Sequence, residues 1–543
     1  MPSTNRAAHR TSLDDDPSPE LLQRARRYGI PSAFQWLLES GRARGLSSQR
    51  LGAWHERLLD DLNGSRRRTG NYYTPPSLVG LLLDHSLEPI LAAKASAAAG
   101  RPIQCIKDVE NSSSTEKRAV VEAILATTVL DPACGAGVFL EASAARLFDW
   151  LRIASPPKTN HRRLRAEIAG RCLFGIDRDE TAVILTRAAL GIEADDHLHR
   201  GDSLLDSTPW PDRKFDVVVG NPPFANAIEG LVDPATKTTL ARRYPELRGT
   251  ADLAFYFLAA AHQFAAEDGA VGLVLPRAVL SAPAASKLRE RLLRERPPAF
   301  LHAPTEHLLF SGANVFVTLV VLRQGRGCLI PVDDDSLRRI EIDSENWWRA
   351  IHRTPKVASE DDVSTVGELF EVHASMTAGE AYTLIPFIKE GDEALRLRFV
   401  TTGLIDPGVC HWGNKVCRYL GKRFQKPTIS SKSLPEGLSR RVARMRRPKV
   451  LVAGLSTRVE AFLDEKGDYL GAVSTYSLIH PKDDVEVLRE LCDQLNSDEA
   501  ADRLRQELGA TALGGGRITL TKRFLKGLPV SALAYGSRLT QSH

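Results

Sequence analysis

Short apolar runs alternate with longer amphipathic stretches through the first two thirds of the chain. Buried strands are predicted over residues 128–130, 173–177, 215–219 and 271–275, because each is a brief run rich in branched apolar side chains. Apolar residues at helical spacing fill the stretches between these runs. Strands that alternate with helices predict an α/β fold built on a doubly wound, mostly parallel sheet.

The regions that flank this alternating pattern differ from it. Residues 1–18 are polar and are expected to be disordered, whereas residues 19–65 carry Leu51, Trp54 and Leu58 at helical spacing. The latter stretch is predicted to be a helical segment that packs on the core or offers a partner surface, with core packing favoured. From Val366 onwards short strands and turns predominate, which predicts a mixed α+β domain over residues 360–535.

Length and composition exclude several classes of protein. A chain of 543 residues is long enough for about two to four domains. It has neither the roughly 18 uninterrupted apolar residues of a membrane span nor the apolar stretch of a signal peptide near its start. Its 7 cysteines are scattered and lack the spacing of a metal site. We therefore expect a cytoplasmic protein with no membrane association, no disulfides and no bound metal.

One motif ends the strand predicted over residues 215–219. Asn221, Pro222, Pro223 and Phe224 follow it directly, and two consecutive prolines stop a strand and stiffen the loop. Ligands of open α/β sheets bind at the carboxyl ends of the strands. A stiffly held amide beside an aromatic ring suits a flat heterocycle with an exocyclic amine. In isolation the motif is more typical of a simple turn, so the other motifs must decide.

The remaining strand ends also carry candidate ligand-binding residues. Gly135 and Gly137 lie in a loop that lacks both the third glycine of a dinucleotide site and the lysine of a phosphate loop, which predicts a ligand without phosphate at this position. Asp177 ends the second strand, where a carboxylate usually accepts from ribose hydroxyls. Upstream, Thr74 is a predicted N-cap before Pro75, and the N-terminus of that helix suits a carboxylate.

Basic residues are concentrated in the second domain, where aromatic residues lie between them. The net charge of +5 is too small to indicate nucleic acid by itself, but this mixture suits a phosphate backbone and exposed bases. A solvated basic face is the alternative. The predicted DNA-binding residues are Arg418, Lys422, Arg440, Arg441, Arg444, Arg446 and Arg447.

Taken in order, the motifs resemble a known family. The segments GNYYTPP, LDPACGAGVFL, FGID, GDSLL, VVVGNPPF, ADLAFYF and GLVLP resemble the ordered motifs of gamma-class amino-methyltransferases that act on DNA. The segments VTTGLIDPGVCHWG, RPKVLVAGLSTRVEAFLDEKGDYLGAV and GGGRITLTKRFLKGLPV resemble the TaqI-type specificity domain. The sequence departs from the pattern at Phe224, where tyrosine is commoner, and at EVHASMTAGEAY, which matches the start of the specificity domain imperfectly.

This resemblance implies a fold, a reaction and partners. It implies a Rossmann-like class I methyltransferase domain over residues 66–335, and a target-recognition domain over residues 360–535. It also implies site-specific transfer of a methyl group from S-adenosylmethionine to adenine N6 in double-stranded DNA, with the target base flipped out of the duplex. Adenine is favoured over cytosine because asparagine, not serine, opens the motif. The implied setting is restriction–modification or another phage-defence system, with a separate endonuclease or defence subunits as possible partners.

The resemblance also implies roles for individual residues. Asn221 and the carbonyl of Pro222 accept from the target amine, and Phe224 stacks on one face of the base. Phe310 covers the other face, with Phe316 as a competitor that is more typical of a core aromatic. The predicted catalytic residues are Asn221, Pro222, Pro223 and Phe224. The predicted cofactor-binding residues are Tyr73, Thr74, Pro75, Asp131, Ala133, Gly135, Gly137, Asp177, Asp202 and Asn221.

Other functions share some of these features. A protein-glutamine N5-methyltransferase also uses an NPP-aromatic site, but such enzymes are about half this length and lack a basic C-terminal domain. A DNA-binding subunit without catalysis would not require an intact Asn221, Gly135 and Asp177. A methylase–nuclease fusion would need a nuclease motif, which the sequence does not show, and the residues before position 66 are too few for a nuclease domain.

Overall fold

A computed structural model divides the chain into two compact units, Met1–Ile351 and His352–His543. The predictions for the first 16 residues, for Tyr73 and for Phe310 lie outside the described residues. The structure describes residues 17–40, 47–63, 74–191, 196–224, 234–247, 251–303, 316–325, 327–331, 336–343, 346–351, 364–391, 397–430, 434–509 and 517–530.

The described residues of the first unit contain a nine-stranded sheet. Its strands are β1 (Val129–Asp131), β2 (Leu173–Asp177), β3 (Leu198–Arg200), β4 (Phe215–Gly220), β5 (Ala265–Pro276), β6 (Pro298–His302), β7 (Val317–Leu322), β8 (Cys328–Pro331) and β9 (Leu337–Ile340). They lie in the order β3-β2-β1-β4-β5-β7-β6-β8-β9. The predicted α/β fold with a mostly parallel sheet is confirmed, because the strands β1 to β5 pair only in parallel with one another.

Twelve helices accompany the sheet in the described part of this unit. They are α1 (Pro19–Tyr28), α2 (Ile30–Glu39), α3 (Ser48–Asn63), α4 (Pro76–Ala99), α5 (Ser114–Leu125), α6 (Val138–Ala154), α7 (His161–Arg171), α8 (Glu180–Leu190), α9 (Pro234–Arg243), α10 (Leu253–Phe264), α11 (Ser286–Glu295) and α12 (Trp347–Ile351). No helix within the described ranges is long and apolar enough to cross a bilayer.

The strand order reverses between β1 and β4. From β1 the chain proceeds outwards through β2 to β3, and it then returns to the other side of β1 to form β4 and β5. Because crossovers between parallel strands are right-handed, the helices after β1 and β2 lie on the opposite face from the helix after β4. Such a reversal leaves a crevice at the carboxyl ends of the two adjoining strands. Asp131 and Gly220 are the last residues of β1 and β4.

The helices α1 to α3 have their own apolar core, which includes a residue of the sheet domain. Leu21, Phe34, Leu51 and Leu58 are buried together in this cluster with Leu185 of α8. The first three helices therefore pack on the helix that follows the β2 strand.

The second unit is built from short strands around two four-stranded sheets. Its strands are β10 (Ser364–Thr365), β11 (Glu371–Ala374), β12 (Ile388–Glu390), β13 (Leu397–Val400), β14 (Ile405–Asp406), β15 (Val409–Cys410), β16 (Cys417–Tyr419), β17 (Lys422–Phe424), β18 (Pro427–Ile429), β19 (Lys449–Ala453), β20 (Leu455–Ser456), β21 (Ala461–Asp464), β22 (Tyr469–Gly471), β23 (Thr475–Ile479), β24 (Ile518–Thr519) and β25 (Pro529–Val530). The two sheets have the orders β11-β23-β19-β21 and β12-β18-β13-β22.

Helices cover these sheets, and the strand β19 lies between two apolar cores. The helices are α13 (Val366–Leu369), α14 (Ala378–Leu384), α15 (Glu436–Arg444), α16 (Val485–Leu495), α17 (Asp498–Leu508) and α18 (Lys522–Gly527). Val450 and Val452 of β19 belong to one core, whereas Leu451 and Ala453 belong to the other. This alternation is the period of two that a strand with both faces buried requires.

A buried ion pair joins β19 to β21 in this unit. The side chains of Lys449 and Asp464 are 0% and 2% exposed, and their charged groups are in direct contact. Burial lowers the pKa of Lys449, and the neighbouring Asp464 carboxylate counteracts that shift. Asp464 also accepts from the backbone N–H groups of Asp468 and Tyr469. Removing one partner would leave the other charge buried without compensation.

We expect Lys449→Ala to destabilise the second unit by about 3–5 kcal/mol, the usual cost of breaking a buried ion pair. Arg440→Ala is the matched control, because its pair with Glu436 has side chains that are 78% and 84% exposed. That control should change stability by less than about 1 kcal/mol. Urea unfolding monitored by circular dichroism measures both, and equal unfolding midpoints for the two variants would contradict the prediction.

Candidate active site

The carboxylate of Asp131 lies against the backbone at the end of β4. A Cβ atom placed on Gly220 would be 2.6 Å from Asp131 Oδ1, which is closer than real Cβ contacts allow. The same oxygen accepts from the backbone N–H of Ala133 at 3.0 Å. Asp131 is only 1% exposed. Glycine at position 220 therefore makes room for a buried carboxylate at the point where the strand order reverses.

The loop after β1 is held in place by its own backbone and by Asp177. Gly135 and Gly137 have φ values of +54° and +91°, in the left-handed region that glycine tolerates. The N–H of Gly135 donates to Asp177 Oδ2 at 2.9 Å. The hydroxyl of Thr186 donates to the carbonyl of Gly135 at 2.8 Å. The predicted glycine loop is thus fastened on one side to the end of β2 and on the other to α8.

Burial makes this part of the site unfavourable for negative charge. It raises the pKa of Asp131 to about 8, and the nearby Asp177 adds to the rise while the bond from Ala133 opposes it. Burial also raises the pKa of Asp177, although the N–H groups of Asp179 and Gly135 counteract it. Two carboxyl groups with raised pKa values suit a ligand that brings a positive charge or hydrogen-bond donors.

Asn221 is anchored by a residue far away in the sequence. Its side-chain Nδ2 donates to Thr74 Oγ1 at 2.9 Å, and Thr74 is 5% exposed. The sequence predicted that Thr74 caps the following helix, but this is wrong, because α4 begins at Pro76 and Pro75 occupies the cap position without a side-chain bond. The Thr74 hydroxyl instead accepts from the Asn221 amide and holds that side chain at the end of β4.

The other residues of the motif are buried or partly buried. Pro222 is buried and Pro223 is partly buried. Phe224 is 9% exposed. Phe316, the predicted competitor for base stacking, has the guanidinium of Arg277 3.9 Å from the centre of its ring. That contact ties Phe316 to the residue that follows β5 and favours a packing role for it.

Asp202 lies two residues after the end of β3. Its Oδ1 accepts from the N–H groups of Leu204 and Leu205 at 2.9 and 3.2 Å. Its Oδ2 lies 3.5 Å from Arg178 Nε. The next residue, Ser203, donates from its hydroxyl to the carbonyl of Pro132 in the glycine loop. The structure thus brings the segment around Asp202 to the same edge of the sheet as the loop and Asp177.

The predicted DNA-binding arginines of the second unit fall into two groups. Arg441 pairs with Glu380 at 2.8 Å and donates to the carbonyl of Ala374. Arg447 pairs with Asp483 at 2.8 Å and with Glu371 at 3.2 Å. These two guanidinium groups brace the domain internally. Arg440, Arg444 and Arg446 are exposed on and just after α15.

Arg418 and Lys422 are exposed on a small hairpin formed by β16 and β17. Arg418 is directly opposite Arg423, so two like charges share one face. Neither arginine has an ion pair among the described residues of the chain. Leu420 and Gly421 form the turn with φ values of +44° and +82°. The side chain of Leu420 is 44% exposed, and a left-handed conformation is unusual for leucine.

The sequence predictions missed one residue that reaches this site. His55 of α3 forms an ion pair with Asp179 at 3.2 Å between Nε2 and Oδ2, just after the end of β2. His55 was concealed because it lies among apolar residues at helical spacing, between Leu51 and Leu58. A polar residue on such a buried face was the available signal.

A family model and two curated proteins match this chain. The family model for N-6 DNA methylases matches residues 46–372. The chain is 24% identical over 248 residues to the type II restriction enzyme and methyltransferase RM.Eco57I of Escherichia coli, a match that covers 37% of this chain and 25% of that protein. It is 25% identical over 175 residues to the type I restriction enzyme EcoEI methylase subunit of Escherichia coli, covering 32% of each.

The matches to the two curated relatives thus span between a quarter and a third of their lengths. Among solved structures, the type IIL restriction–modification enzyme MmeI in complex with DNA is similar, with a TM-score of 0.57 and 14% identity over 90% of this chain and 70% of that one. At this identity the likeness concerns the fold. Because the family model matches more than half of the chain, the protein belongs to the N-6 DNA methylase family.

Proposed function

We propose that the protein is a site-specific DNA methyltransferase that uses S-adenosylmethionine and methylates adenine N6 in double-stranded DNA. One observation carries the proposal within the family found above. The Asn221 amide is held by Thr74 at the end of β4, next to the strand that presents the buried Asp131. An oriented amide suits the amine that accepts the methyl group. The adjacent buried acidic site suits a positively charged methyl donor.

The residues present fit that cofactor. Its ribose hydroxyls are donors, and each oxygen of Asp177 keeps acceptor capacity beyond the one backbone N–H that it binds. We assign Asp131, Ala133, Gly135 and Gly137 to the methionine end, with Tyr73, Thr74 and Pro75 beside its carboxylate at the N-terminus of α4. Asp202 is assigned to the adenine amine. The cofactor, when bound, supplies an electrophilic methyl group.

The chain supplies positioning for the acceptor. The Asn221 amide oxygen and the Pro222 carbonyl accept from the two hydrogens of the target amine, which directs the nitrogen lone pair away from them. Two prolines in sequence restrict the backbone that carries these acceptors. Most of the rate gain then comes from orientation and preorganised acceptors.

The target base must leave the duplex to reach such a site. Phe224 is assigned to stacking on one face of that base, and base–aromatic stacking is worth about 1–3 kcal/mol. Phe310 is assigned to the other face. The contact between Phe316 and Arg277 favours Phe310 over Phe316 for this role.

We assign DNA recognition to the second unit and, within it, first to the β16–β17 hairpin. Like charges directly opposite each other destabilise a strand pair, so the Arg418–Arg423 arrangement costs stability in the protein without DNA. A phosphate backbone would favour it. Exposed apolar side chains such as that of Leu420 serve as wedges between base steps in proteins that enter the minor groove. Lys422, Arg440, Arg444 and Arg446 are assigned as further contacts.

The similar proteins support a proposal for the biological setting. A type II restriction enzyme and methyltransferase and a type I methylase subunit are both similar to this chain. We therefore propose that the protein modifies DNA within a restriction–modification or other phage-defence system, with a separate endonuclease or further subunits as partners. Labelled cofactor offered to DNA, RNA and protein separates this function from protein-glutamine methylation and from a DNA-binding role without catalysis.

We expect Asn221→Ala to lower kcat on DNA by about 10²–10³-fold, the usual loss when a preorganised polar contact to the reacting group is removed. Cofactor affinity measured by calorimetry should change much less. Thr74→Val is the matched companion, because it keeps the shape of Thr74 but removes the hydroxyl that holds the amide, and it should give a smaller loss in kcat. Unchanged methylation by Asn221→Ala would refute the assignment of Asn221.

The raised pKa of Asp131 predicts a pH-dependent stability of the protein without ligands. Because the folded value of about 8 lies above the ordinary value of 3.8, the folded protein retains a proton that the unfolded chain releases. The contribution is complete at acidic pH and is lost as the pH rises towards about 8. It is worth at most about 1.4 kcal/mol for each pH unit crossed.

Asp131→Asn keeps an acceptor for the Ala133 N–H but cannot ionise, so its stability should depend less on pH than that of the wild type. The pKa of Asp177 is raised in the same direction, so part of the slope remains in the variant. Melting temperatures recorded from mildly acidic to mildly alkaline pH test this. Parallel curves for the two proteins would show that Asp131 is not the group responsible.

The hairpin assignment predicts opposite effects on stability and on DNA binding. Leu420→Asn should leave the melting temperature equal or higher, because asparagine tolerates the left-handed region. The same variant should bind DNA that contains the target adenine more weakly. Arg418→Ala should reduce the slope of log affinity against log salt by about one. Arg489→Ala is the matched control, since Arg489 is an exposed arginine outside the hairpin that pairs with Glu465. If both arginine variants reduced the slope of log affinity against log salt equally, the assignment would be contradicted.

A further inference from the structure

We infer that the N-terminal helices form part of the cofactor site, with His55 as a positioning residue that holds Asp179 and, through it, Asp177. This inference rests on the proposed function, since it concerns how the same site is built. It assigns a role to residues 19–63, for which the motifs of the sequence suggest none.

A continuous series of polar contacts connects α3 to the glycine loop. His55 Nε2 lies 3.2 Å from Asp179 Oδ2. The backbone N–H of Asp179 donates to Asp177 Oδ1 at 2.9 Å. The other oxygen of Asp177 accepts from the N–H of Gly135, also at 2.9 Å. The position of Asp179 therefore sets the orientation of the carboxylate that we assign to the ribose hydroxyls.

A second contact, independent of the first, brings the same helix face to the glycine loop itself. A Cβ atom on Gly52 would lie 3.0 Å from the Cβ of Ala136, so α3 approaches the loop closely at this point. Gly52 and His55 are three residues apart and thus lie on one face of the helix. This face contacts both the loop and the acidic residues after β2, the two elements that the cofactor requires.

The surroundings of His55 restrict the side chain to this role. His55 is 7% exposed, and its ring meets that of Phe34 edge to face at a centroid distance of 5.8 Å. Although burial tends to raise the pKa of Asp179, the neighbouring imidazole of His55 holds that pKa below its ordinary value. A polar side chain in an apolar core is costly unless it is paired, and Asp179 provides the partner.

Asp179 has a second task that a test must leave intact. Its Oδ1 accepts from the N–H of Thr181 at 2.8 Å and so caps α8. Asparagine caps helices about as well as aspartate. Asp179→Asn therefore removes the charge that faces His55 while it keeps the cap, which makes it a suitable reciprocal variant.

The test measures cofactor binding to the full-length protein by calorimetry, without DNA, and steady-state kinetics with DNA. We expect His55→Leu to weaken S-adenosylmethionine binding by about tenfold and to raise its KM in parallel, with kcat at saturating cofactor and the KM for DNA nearly unchanged. His55→Gln places a donor near the position of Nε2 and should restore much of the affinity. In combination with Asp179→Asn, His55→Leu should add little to the loss.

Leu21→Ala is the control for stability alone, because Leu21 is fully buried among the same helices but belongs to no polar contact with the site. It should lower the melting temperature and leave cofactor affinity near that of the wild type. Wild-type affinity in His55→Leu, or an equal loss of affinity in Leu21→Ala, would overturn the inference. Cofactor binding by the wild type without methylation of DNA would overturn the proposed substrate and leave the inference standing.

Discussion

Asp131 is a carboxylic acid held almost entirely out of water at the junction of two parallel strands. A charge in that position is costly, and here one backbone N–H and the nearby Asp177 act on it in opposite directions. The cost can be met by a proton or by a ligand that carries positive charge. The absence of a side chain at Gly220 makes room for this carboxylate, and the left-handed glycines shape the adjoining loop. The rest of the site is arranged around this constraint.

The polar residues near Asp131 hold one another in place over long distances in the sequence. Thr74 orients Asn221, Asp177 fastens the glycine loop, and His55 reaches Asp179 from a separate group of helices. The Asp177 and His55 contacts each join a loop to a strand or helix, and the Thr74 contact joins the residues before α4 to those after β4. A site of this kind is preorganised, which is what a reaction that depends on positioning requires.

Charge is used in two different ways in the second unit. The Lys449–Asp464 pair and the bonds of Arg441 and Arg447 are internal, and they connect strands and helices of the domain. The arginines of the β16–β17 hairpin instead face the same side of an exposed strand pair. Basic residues that look equivalent along the chain therefore differ in whether an acid of the same domain already engages them.

The α/β fold and the ends of its strands could be predicted from the amino-acid sequence, because periodicity, proline and glycine act locally on the backbone. The start of α4 was misplaced by one residue since the Thr74 hydroxyl bonds to Asn221 instead of capping the helix. The contacts between Thr74 and Asn221 and between His55 and Asp179 became visible in the folded chain alone. The tertiary structure also separated the arginines that brace the second unit from those on the hairpin. Such pairings depend on distances between residues remote in the chain, and local patterns carry no information about those distances.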